Sequence, residues 1–584
     1  MKILGLNIGH NATAALTDDG RVVAAVQEER LNRVKNAGGI PALAIQEVLR
    51  LGGLSGLDQL DLVAVCGTWS SYMVRDGRQV LEDYEQMRRQ AAGPAGLVRA
   101  LLAGNERLRS LWKGYASDRY QRMVRDELTR LGINPTRVRF VDHHTCHAAM
   151  AYYGNGDMDD RVLILTNDGE GDGLCATVNI GHRGRLDRIG AVSNHHTVAG
   201  LYGMITYLMG MVPLEHEYKV MGLAPYGQAG GAVDSLARSF HGLVEWDRDR
   251  PMEWRRPAGV PIGNRILPDL ERLIARHRFD HVAAAVQAFT EDFLVEWATR
   301  CVKETGIGTV CLSGGIFMNV KANQRILASP GVERLFIVPS GGDESNAVGA
   351  AHAAFAQHQL DHNRPVAIPR LGSLYWGGEF AHGEIEQAVR NFRFASKVAV
   401  QETAAPEPLV AGLLAERQVV ARFAGRMEFG ARALGNRSLL ANASDPAAPR
   451  LLNETIKSRD FWMPFAPSVL RERSSTYLRK PKPMDAPYMV ITFDSEPAAR
   501  QACLAAMHPQ DFTLRPQEVS ERANPSYHAL LADYERRTGH GLVLNTSFNL
   551  HGEPLVYSPQ DALRVFDVSG LRHLVLGNLY VRKT

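Results

Sequence analysis

The chain has 584 residues, of which 45% are hydrophobic and 22% are charged, and its formal net charge is +3. So small a charge on so long a chain argues against a nucleic-acid partner, and the composition is typical of a globular protein with several domains. Six widely spaced cysteines without a Cys-x-x-Cys pair predict free thiols in a reducing compartment. The N-terminus lacks a signal-peptide layout and no apolar run reaches roughly 18 residues, so we expect a cytoplasmic protein without membrane spans.

Two stretches of the chain share a β-β-β pattern. The strands are predicted at residues 3–7, 12–17 and 22–27, and again at 162–167, 174–179 and 186–192. A polar turn follows the first strand of each stretch, which indicates a duplicated fold. The actin, sugar-kinase and heat-shock-ATPase architecture is built in this way, so we predict an α/β fold of that type. Between the two stretches, residues 73–130 are Arg-rich with a helical period, and their interleaved acids favour a solvated helical cap over contact with RNA.

A pair of histidines marks the first candidate site. His143 and His147 stand four residues apart, ahead of an Ala-rich run that predicts a helix. Residues four apart share one helix face, so the two imidazoles point the same way and suit a divalent metal. A pair of buried structural histidines is the alternative. Asp168 directly follows a predicted strand and is placed to complete the site. Fe(II), Mn(II) and Zn(II) all match such mixed ligands.

Gly pairs follow two later predicted strands. A strand at 310–312 leads into Ser313-Gly314-Gly315, and a second Gly pair leads into Asp343 ahead of an Ala-rich helix at 347–356. A Gly pair between a strand and a helix lets the backbone approach a nucleotide, although Gly-Gly also makes ordinary tight turns. Asp343 is a candidate fourth metal ligand.

A polar stretch at 361–372 is predicted to link a domain at 1–360 to a domain at 373–584. Beyond it, Arg426, Arg432 and Arg437 stand among glycines. This pattern predicts a pocket for phosphate or carboxylate, because Arg makes bidentate contacts with both. Lys457, Arg515 and Asn545 are further candidates. For each residue taken alone, an ordinary surface group is the alternative.

Together these motifs resemble the nodulation-protein-U and tobramycin-carbamoylating O-carbamoyltransferases, nearly end to end. The resemblance rests on Gly9-His10-Asn11, Glu28-Glu29-Arg30, His143-His144 with His147, Glu217-Tyr218-Lys219-Val220-Met221-Gly222, Ser313-Gly314-Gly315, Glu428-Phe429-Gly430-Ala431-Arg432, Pro464-Phe465-Ala466-Pro467 and Asn545-Thr546-Ser547-Phe548-Asn549. It implies an N-terminal domain like the threonylcarbamoyl-transferases of tRNA modification and a YrdC-like C-terminal domain. The implied activity is formation of carbamoyl-adenylate from carbamoyl phosphate and ATP with Mg, followed by carbamoyl transfer to a hydroxyl of a small-molecule natural product, as in antibiotic biosynthesis.

The resemblance also implies roles for individual residues. The implied iron ligands are His143, His147, Asp168 and Asp343, and the implied carbamoyl-phosphate contacts are Arg432, Lys457, Arg515 and Asn545. Nucleotide contacts are expected from Lys35, Asp168, Gly200, Gly314, Gly315 and Asn319, and acceptor-side contacts from Glu217 and Lys219. His10 matches the residue near the acceptor hydroxyl. Three departures affect the carbamoyl-phosphate pocket: Met463 replaces an Arg, Ala431 replaces a Pro, and Asp511-Phe512-Thr513-Leu514-Arg515 differs from the usual pattern.

Two other functions remain open from the sequence: a tRNA threonylcarbamoyl-type transferase and an actin-fold small-molecule kinase. The near-neutral charge disfavours the first. The second leaves the histidine pair and the C-terminal arginines unexplained. The sequence does not specify the acceptor, and it leaves a homodimer open.

Overall fold

The computed structural model describes residues 1–69, 77–91, 106–227 and 230–584. The chain divides into two compact units. The first unit comprises Met1–Glu28 and Asn36–Leu371, and the second comprises Gly372–Thr584 together with the short segment Glu29–Lys35. The predicted linker at 361–372 begins at the last residue of the helix Asn346–Asp361.

The first unit begins with a five-stranded mixed sheet. Its strands are β1 Lys2–Asn7, β2 Thr13–Asp18, β3 Arg21–Gln27, β4 Leu62–Cys66 and β5 Val138–Val141. Their order is β3-β2-β1-β4-β5, with β1 antiparallel to β2 and parallel to β4. The predicted meander at the N-terminus is therefore confirmed.

A second five-stranded sheet repeats this arrangement. The next strands are β6 Val162–Gly171, β7 Leu174–His182, β8 Arg185–Ser193, the short ribbon β9 Glu245–Trp246 and β10 Trp254–Arg255, and then β11 Thr309–Ser313 and β12 Arg334–Ile337. The sheet order is β12-β11-β6-β7-β8, and β6 is antiparallel to β7 and parallel to β11. Both sheets thus share one topology, as the repeated pattern predicted.

Helices cover these two sheets. Those of the first unit are Ala42–Leu51, Gly77–Ala91, Glu106–Arg130, His143–Asn155, Ala199–Leu208, Glu217–Leu223, Gly231–His241, Leu267–Ile274, Phe279–Thr305, Val320–Ala328 and Asn346–Asp361. The predicted helical stretch 73–130 contains two of them, while residues 73–76 and 92–105 lie outside the described residues. Within the described parts of the chain, no helix is long and apolar enough to cross a membrane.

One helix pair positions the candidate site of the first unit. A Cβ atom added to Gly349 would lie 2.0 Å from the carbonyl oxygen of Cys146, so only glycine permits this contact. The helix Asn346–Asp361 therefore packs directly against the helix His143–Asn155. As a result, the N-terminus of the helix Asn346–Asp361 lies close to His143 and His147.

The second unit is built on an eight-stranded mixed sheet. The strands of this unit are β13 Val398–Glu402, β14 Val420–Phe423, β15 Arg437–Ala441, β16 Ala466–Leu470, β17 Leu478–Arg479, β18 Asp494–Ser495, β19 Gln517–Val519, β20 Leu542–Ser547, β21 His573–Leu576 and β22 Leu579–Lys583. The sheet order is β13-β22-β21-β14-β15-β20-β16-β19, and β17 pairs with β18 apart from it. Its helices are Glu29–Asn32, His382–Asn391, Pro406–Ala415, Ala448–Leu452, Ser474–Tyr477, Pro497–Ala502, Pro525–Thr538 and Pro559–Val568. A buried cluster that includes Val410, Leu440, Leu530 and Val543 fills one face of the sheet.

All six cysteines of the chain are buried and unpaired. This confirms the expectation of free thiols.

Candidate functional site

Four predicted ligands converge in the first unit. His143 and His147 lie on the helix His143–Asn155, Asp168 lies on β6, and Asp343 begins the turn Asp343–Ser345 that leads into the helix Asn346–Asp361. One ligand atom from each of the four residues lies within 4.8 Å of all the others. The two histidines are almost fully buried, whereas the two aspartates are half-buried.

The spacing of these atoms fits one divalent ion. His147 Nε2 lies 3.4 Å from Asp168 Oδ2 and 3.4 Å from Asp343 Oδ1, and the corresponding distances from His143 Nε2 are 3.4 and 3.5 Å. Donors about 2.1 Å from a common ion at tetrahedral angles stand about 3.4 Å apart. Two imidazoles with two carboxylates suit Fe(II), Mn(II) or Zn(II).

Neighbouring groups fix the orientation of both imidazoles. His147 Nδ1 lies 3.1 Å from Ser313 Oγ, and His143 Nδ1 lies 3.8 Å from Cys66 Sγ, so both Nε2 atoms face the centre. The Asp172 carboxylate accepts a 2.9 Å hydrogen bond from the His143 backbone N–H. Such outer contacts orient metal ligands. The sequence did not indicate these roles for Ser313 and Asp172, although both lie close to the predicted polar turns that follow strands.

The histidines and aspartates of the centre shift one another's pKa values toward the charged forms. Burial would lower the pKa of His143, but the Asp343 and Asp168 carboxylates outweigh this effect and raise the pKa well above its usual value. Burial would raise the pKa of Asp168, but His143 and His147 hold that pKa well below its usual value. In contrast, burial lowers the pKa of the adjacent His144 to about 3. His144 faces away and places its Nδ1 2.8 Å from Thr166 Oγ1.

The predicted nucleotide-binding glycines border this centre. Gly315 N–H donates to Asp168 Oδ1 at 3.3 Å. Gly314 has a φ of +109°, and an added Cβ would lie 2.1 Å from the Asn167 carbonyl oxygen, so this turn requires glycine. Gly200 N–H donates to Thr197 Oγ1, which in turn donates to the Asp168 carbonyl oxygen. The backbone of Gly314 and Gly315 therefore lies against Asn167 and Asp168, and Gly200 is linked to Asp168 through Thr197.

Asn319 has a structural role that the sequence analysis did not assign. Its Oδ1 accepts a hydrogen bond from Ala322 N–H and caps the helix Val320–Ala328. Its Nδ2 donates to Gln287 Oε1 at 3.0 Å. Both ends of this amide are thus engaged by protein groups, and its nucleotide contact stays a prediction.

His10 follows β1, in the turn that the sequence predicted. Asn7 Nδ2 donates to the His10 carbonyl oxygen at 2.8 Å and fixes this turn. Asn11 Nδ2 donates to Glu344 Oε2 at 3.4 Å, so the turn adjoins the residue next to Asp343. His10 Nε2 is buried and has no protein partner in the described structure.

The two acceptor-side candidates lie on the helix Glu217–Leu223. Glu217 Oε1 accepts a 2.7 Å hydrogen bond from Leu214 N–H. Burial raises the pKa of Glu217 to about 7. Lys219 is half-buried on the same short helix.

In the second unit, the three motif arginines have different roles. Arg437 is fully buried and donates to the carbonyl oxygens of Ala424, Gly425 and Gly378. Arg426 likewise donates to the carbonyl oxygens of Trp376 and Gly377. The prediction that all three arginines form one anion pocket is therefore wrong for Arg426 and Arg437, because their guanidinium groups donate to backbone carbonyl oxygens. Of the three motif arginines, Arg432 remains a ligand candidate.

The loop that carries Arg432 is held by hydrogen bonds among its own residues. Glu428 Oε1 accepts hydrogen bonds from the backbone N–H groups of Leu434, Asn436 and Arg437. Gly435 has a φ of +109°, and its Cα approaches Tyr527 so closely that an added Cβ would lie 2.4 Å from the ring. The Glu428 carboxylate and the close approach of Gly435 to Tyr527 therefore determine the shape of this loop.

Five cations gather in the second unit. Desolvation and the charges of Arg432 and Arg459 hold the pKa of Arg515 well below its usual value. Desolvation and the charges of Arg459 and Lys35 likewise hold the pKa of Lys457 well below its usual value. Such like-charge clusters favour a bound anion. Lys35 reaches this cluster because residues 29–35 belong to the second unit. The Lys457 ammonium group also donates to Ser547 Oγ at 3.1 Å and to Asn549 Oδ1 at 2.6 Å.

Asn545 supports the Arg432 loop from β20. Its Nδ2 donates to the Ala433 carbonyl oxygen, to Ser468 Oγ and to Gln517 Oε1 at 3.0–3.2 Å. Its Oδ1 is buried and has no protein partner in the described structure. A contact with carbamoyl phosphate, as predicted, would therefore use Oδ1 as a hydrogen-bond acceptor.

Comparison with known proteins assigns the family. The family of the carbamoyltransferase N-terminus matches residues 2–352, and the family of the carbamoyltransferase C-terminus matches residues 411–583. The chain belongs to the carbamoyltransferase family. It is a transferase, as the motifs predicted.

Similar proteins span the whole chain. A Synechocystis protein of unassigned function is 31% identical and covers 100% of this chain and 97% of its own length. Nodulation protein NolNO of Sinorhizobium fredii is 29% identical over 98% of this chain and 79% of its own. The 3'-hydroxymethylcephem-O-carbamoyltransferase of Streptomyces clavuligerus is 24% identical over 100% of this chain and 99% of its own.

Proposed function

We propose that this carbamoyltransferase makes carbamoyl-adenylate in its second unit and transfers the carbamoyl group to a small-molecule hydroxyl in its first. The observation that carries the proposal is the presence of two chemically distinct sites, a cation cluster and a histidine–carboxylate centre. We also propose that the first unit has the actin/sugar-kinase fold and the second a YrdC-like fold. The shared topology of the two sheets in the first unit supports the former assignment.

The cation cluster suits the first reaction. Carbamoyl phosphate is a dianion, and the guanidinium groups of Arg432 and Arg515 are matched to phosphate oxygens. Lys35 supplies charge for the phosphates of Mg-bound ATP. We assign Lys457 to the same phosphates, instead of to carbamoyl phosphate as the resemblance implied, because the charge of Lys35 acts on the pKa of Lys457. Loss of phosphate to water leaves carbamate, whose oxygen attacks the α-phosphorus of ATP. A C–O–P linkage forms, the bond to pyrophosphate breaks, and pyrophosphate leaves.

The histidine–carboxylate centre suits the second reaction. A divalent ion held by His143, His147, Asp168 and Asp343 would supply positive charge beside the phosphate of the adenylate. Backbone groups at Gly314 and Gly315 border this centre and give the nucleotide close approach. A ring nitrogen of His10 accepts the proton of the acceptor hydroxyl as a general base. The alkoxide oxygen then bonds to the carbamoyl carbon, and AMP leaves.

The names of two relatives support a proposal for the acceptor class. One relative is named for a 3'-hydroxymethylcephem and another for nodulation, and both have almost the full length of this chain in common with it. We therefore propose that the acceptor is a hydroxyl-bearing natural product.

Product analysis tests this function. The purified full chain is incubated with ATP, Mg, 14C-labelled carbamoyl phosphate and a panel of hydroxymethyl-bearing natural products. We expect pyrophosphate release that needs both carbamoyl phosphate and ATP, and a labelled carbamate ester of one acceptor. ADP formation without carbamoyl phosphate would instead identify a kinase. A requirement for threonine would identify a threonylcarbamoyl transferase.

A further inference from the structure

Arg459 occupies a fixed position in the cation cluster. It follows Lys457 by two residues, after Ser458, whose φ of +43° turns the chain at the end of the π-helical turn Asn453–Lys457. Arg459 Nη2 donates to Thr546 Oγ1 at 3.1 Å. Its Cζ lies 5.3 Å from the centre of the Phe465 ring. A side chain held by a hydroxyl and a ring at once is ordered before any ligand arrives.

Thr546 and Phe465 lie on the sheet face away from the hydrophobic cluster. Asn545 pairs with Ala466 and with Leu440, a member of that cluster. Successive side chains of a strand point to opposite faces. Thr546 therefore points away from the cluster, and Arg459, which contacts it, lies on the face that the cluster does not fill.

The charge of Arg459 affects both halves of the cluster. Together with Arg432 it lowers the pKa of Arg515, and together with Lys35 it lowers the pKa of Lys457. Chain adjacency agrees with this position, because Lys457 donates to the backbone carbonyl oxygen of Ser547, the residue after Thr546.

We propose that Arg459 lies between a carbamoyl-phosphate subsite formed by Arg432 and Arg515 and a nucleotide-phosphate subsite formed by Lys35 and Lys457, and that it binds the anions in both. This inference rests on the proposed function and assigns a residue to which that function gave no role. The planar guanidinium fork has five N–H donors, so it can serve phosphate oxygens on two sides while one N–H keeps its bond to Thr546. An ammonium group is a compact point charge that lacks this fork.

Binding of each substrate by itself tests this assignment without adenylate formation, because that step needs both substrates. Calorimetry gives the Kd of carbamoyl phosphate and the Kd of Mg-ATP for the wild type and for each variant. For Arg459→Gln we expect both values to rise by about tenfold to a hundredfold, the usual loss for charge-assisted hydrogen bonds. Arg432→Gln is expected to raise only the carbamoyl-phosphate value, and Lys35→Gln only the ATP value.

Two further variants separate charge, geometry and folding. Arg459→Lys keeps the charge but loses the fork, so an intermediate rise in both Kd values is expected. Arg450→Gln removes an arginine whose side chain is 84% exposed and pairs with Glu454, and it should change neither value. Each variant is first checked for an unchanged melting temperature, and Arg459→Lys replaces Arg459→Gln if the latter unfolds.

The outcomes distinguish this inference from the proposed function. A wild type that releases carbamoyl-dependent pyrophosphate while Arg459→Gln binds both substrates normally would overturn the inference alone. An effect on only one of the two substrates would overturn the position between subsites. A wild type that binds neither substrate would overturn the proposed function itself.

Discussion

His147 Nε2 lies 3.4 Å from Asp343 Oδ1, although the two residues belong to different helical segments far apart in the chain. The contact exists because Gly349 lets the helix Asn346–Asp361 touch the backbone at Cys146. The candidate metal centre therefore depends on helix packing as much as on the four side chains that would hold the ion.

The first prediction concerns metal content. His147→Ala should lose bound metal by about tenfold to a hundredfold, because an ion with two imidazoles and two carboxylates keeps only three of its ligands. Metal analysis after dialysis measures this loss. His144→Gln is the matched control, since His144 is equally buried but directs its ring toward Thr166. Metal retained by His147→Ala at the wild-type level would rule out this centre.

The second prediction separates two arginines of one motif. Arg432→Ala should abolish pyrophosphate release that depends on carbamoyl phosphate and leave the melting temperature unchanged. Arg437→Ala should destabilise the protein by about 3 kcal/mol or more, since it leaves several buried carbonyl groups without donors. Thermal unfolding and a pyrophosphate assay on both variants check this contrast. Normal turnover by Arg432→Ala would show that the cation cluster does not bind the substrate.

The third prediction concerns the transfer step. His10→Asn removes the proposed base but retains a side chain of similar polarity in the turn after β1. We expect it to release pyrophosphate at the wild-type rate and to form no carbamoylated acceptor. Parallel assays of pyrophosphate and labelled product separate the two half-reactions. Product formed at the wild-type rate would assign the proton transfer to another group.

The fourth prediction concerns pH and stability. His352 is 3% exposed, and burial lowers its pKa to about 4. In the unfolded chain a histidine titrates near pH 6.5, so between about pH 6.5 and pH 4 the unfolded state binds more protons than the folded state. The free energy of unfolding should therefore decrease as the pH is lowered through this window. His352 accounts for about 2 kcal/mol of that decrease between pH 7 and pH 5.

The variant His352→Leu isolates that contribution. Its unfolding free energy in denaturant should decrease less than that of the wild type between pH 7 and pH 5, by the same amount. Tyr153, whose ring packs edge-on against His352 at 6.1 Å, provides an apolar surface that leucine can cover. An identical pH dependence in both proteins would show that His352 titrates normally in the folded state.

The sequence by itself determined the local elements and the chemistry of the candidate metal ligands. Short apolar runs separated by polar turns predicted β1 to β3 and β6 to β8. The interval of four between His143 and His147 places them on one helix face whatever surrounds the helix. Asp168 was predicted as a ligand because it directly follows the predicted strand 162–167, although β6 extends past it to Gly171 in the structure.

Only the tertiary structure decided which cations are available to a ligand. Arg432 and Arg437 have the same chemistry and nearly the same sequence surroundings, yet Arg437 donates to three backbone carbonyl groups and Arg432 stays with the cluster. Residues 29–35 bring Lys35 to the second unit, a contact between distant segments that no periodicity reports. The physical reason is that a local pattern depends on backbone geometry over a few residues. The burial of a charge, in contrast, depends on groups that folding brings together from anywhere in the chain.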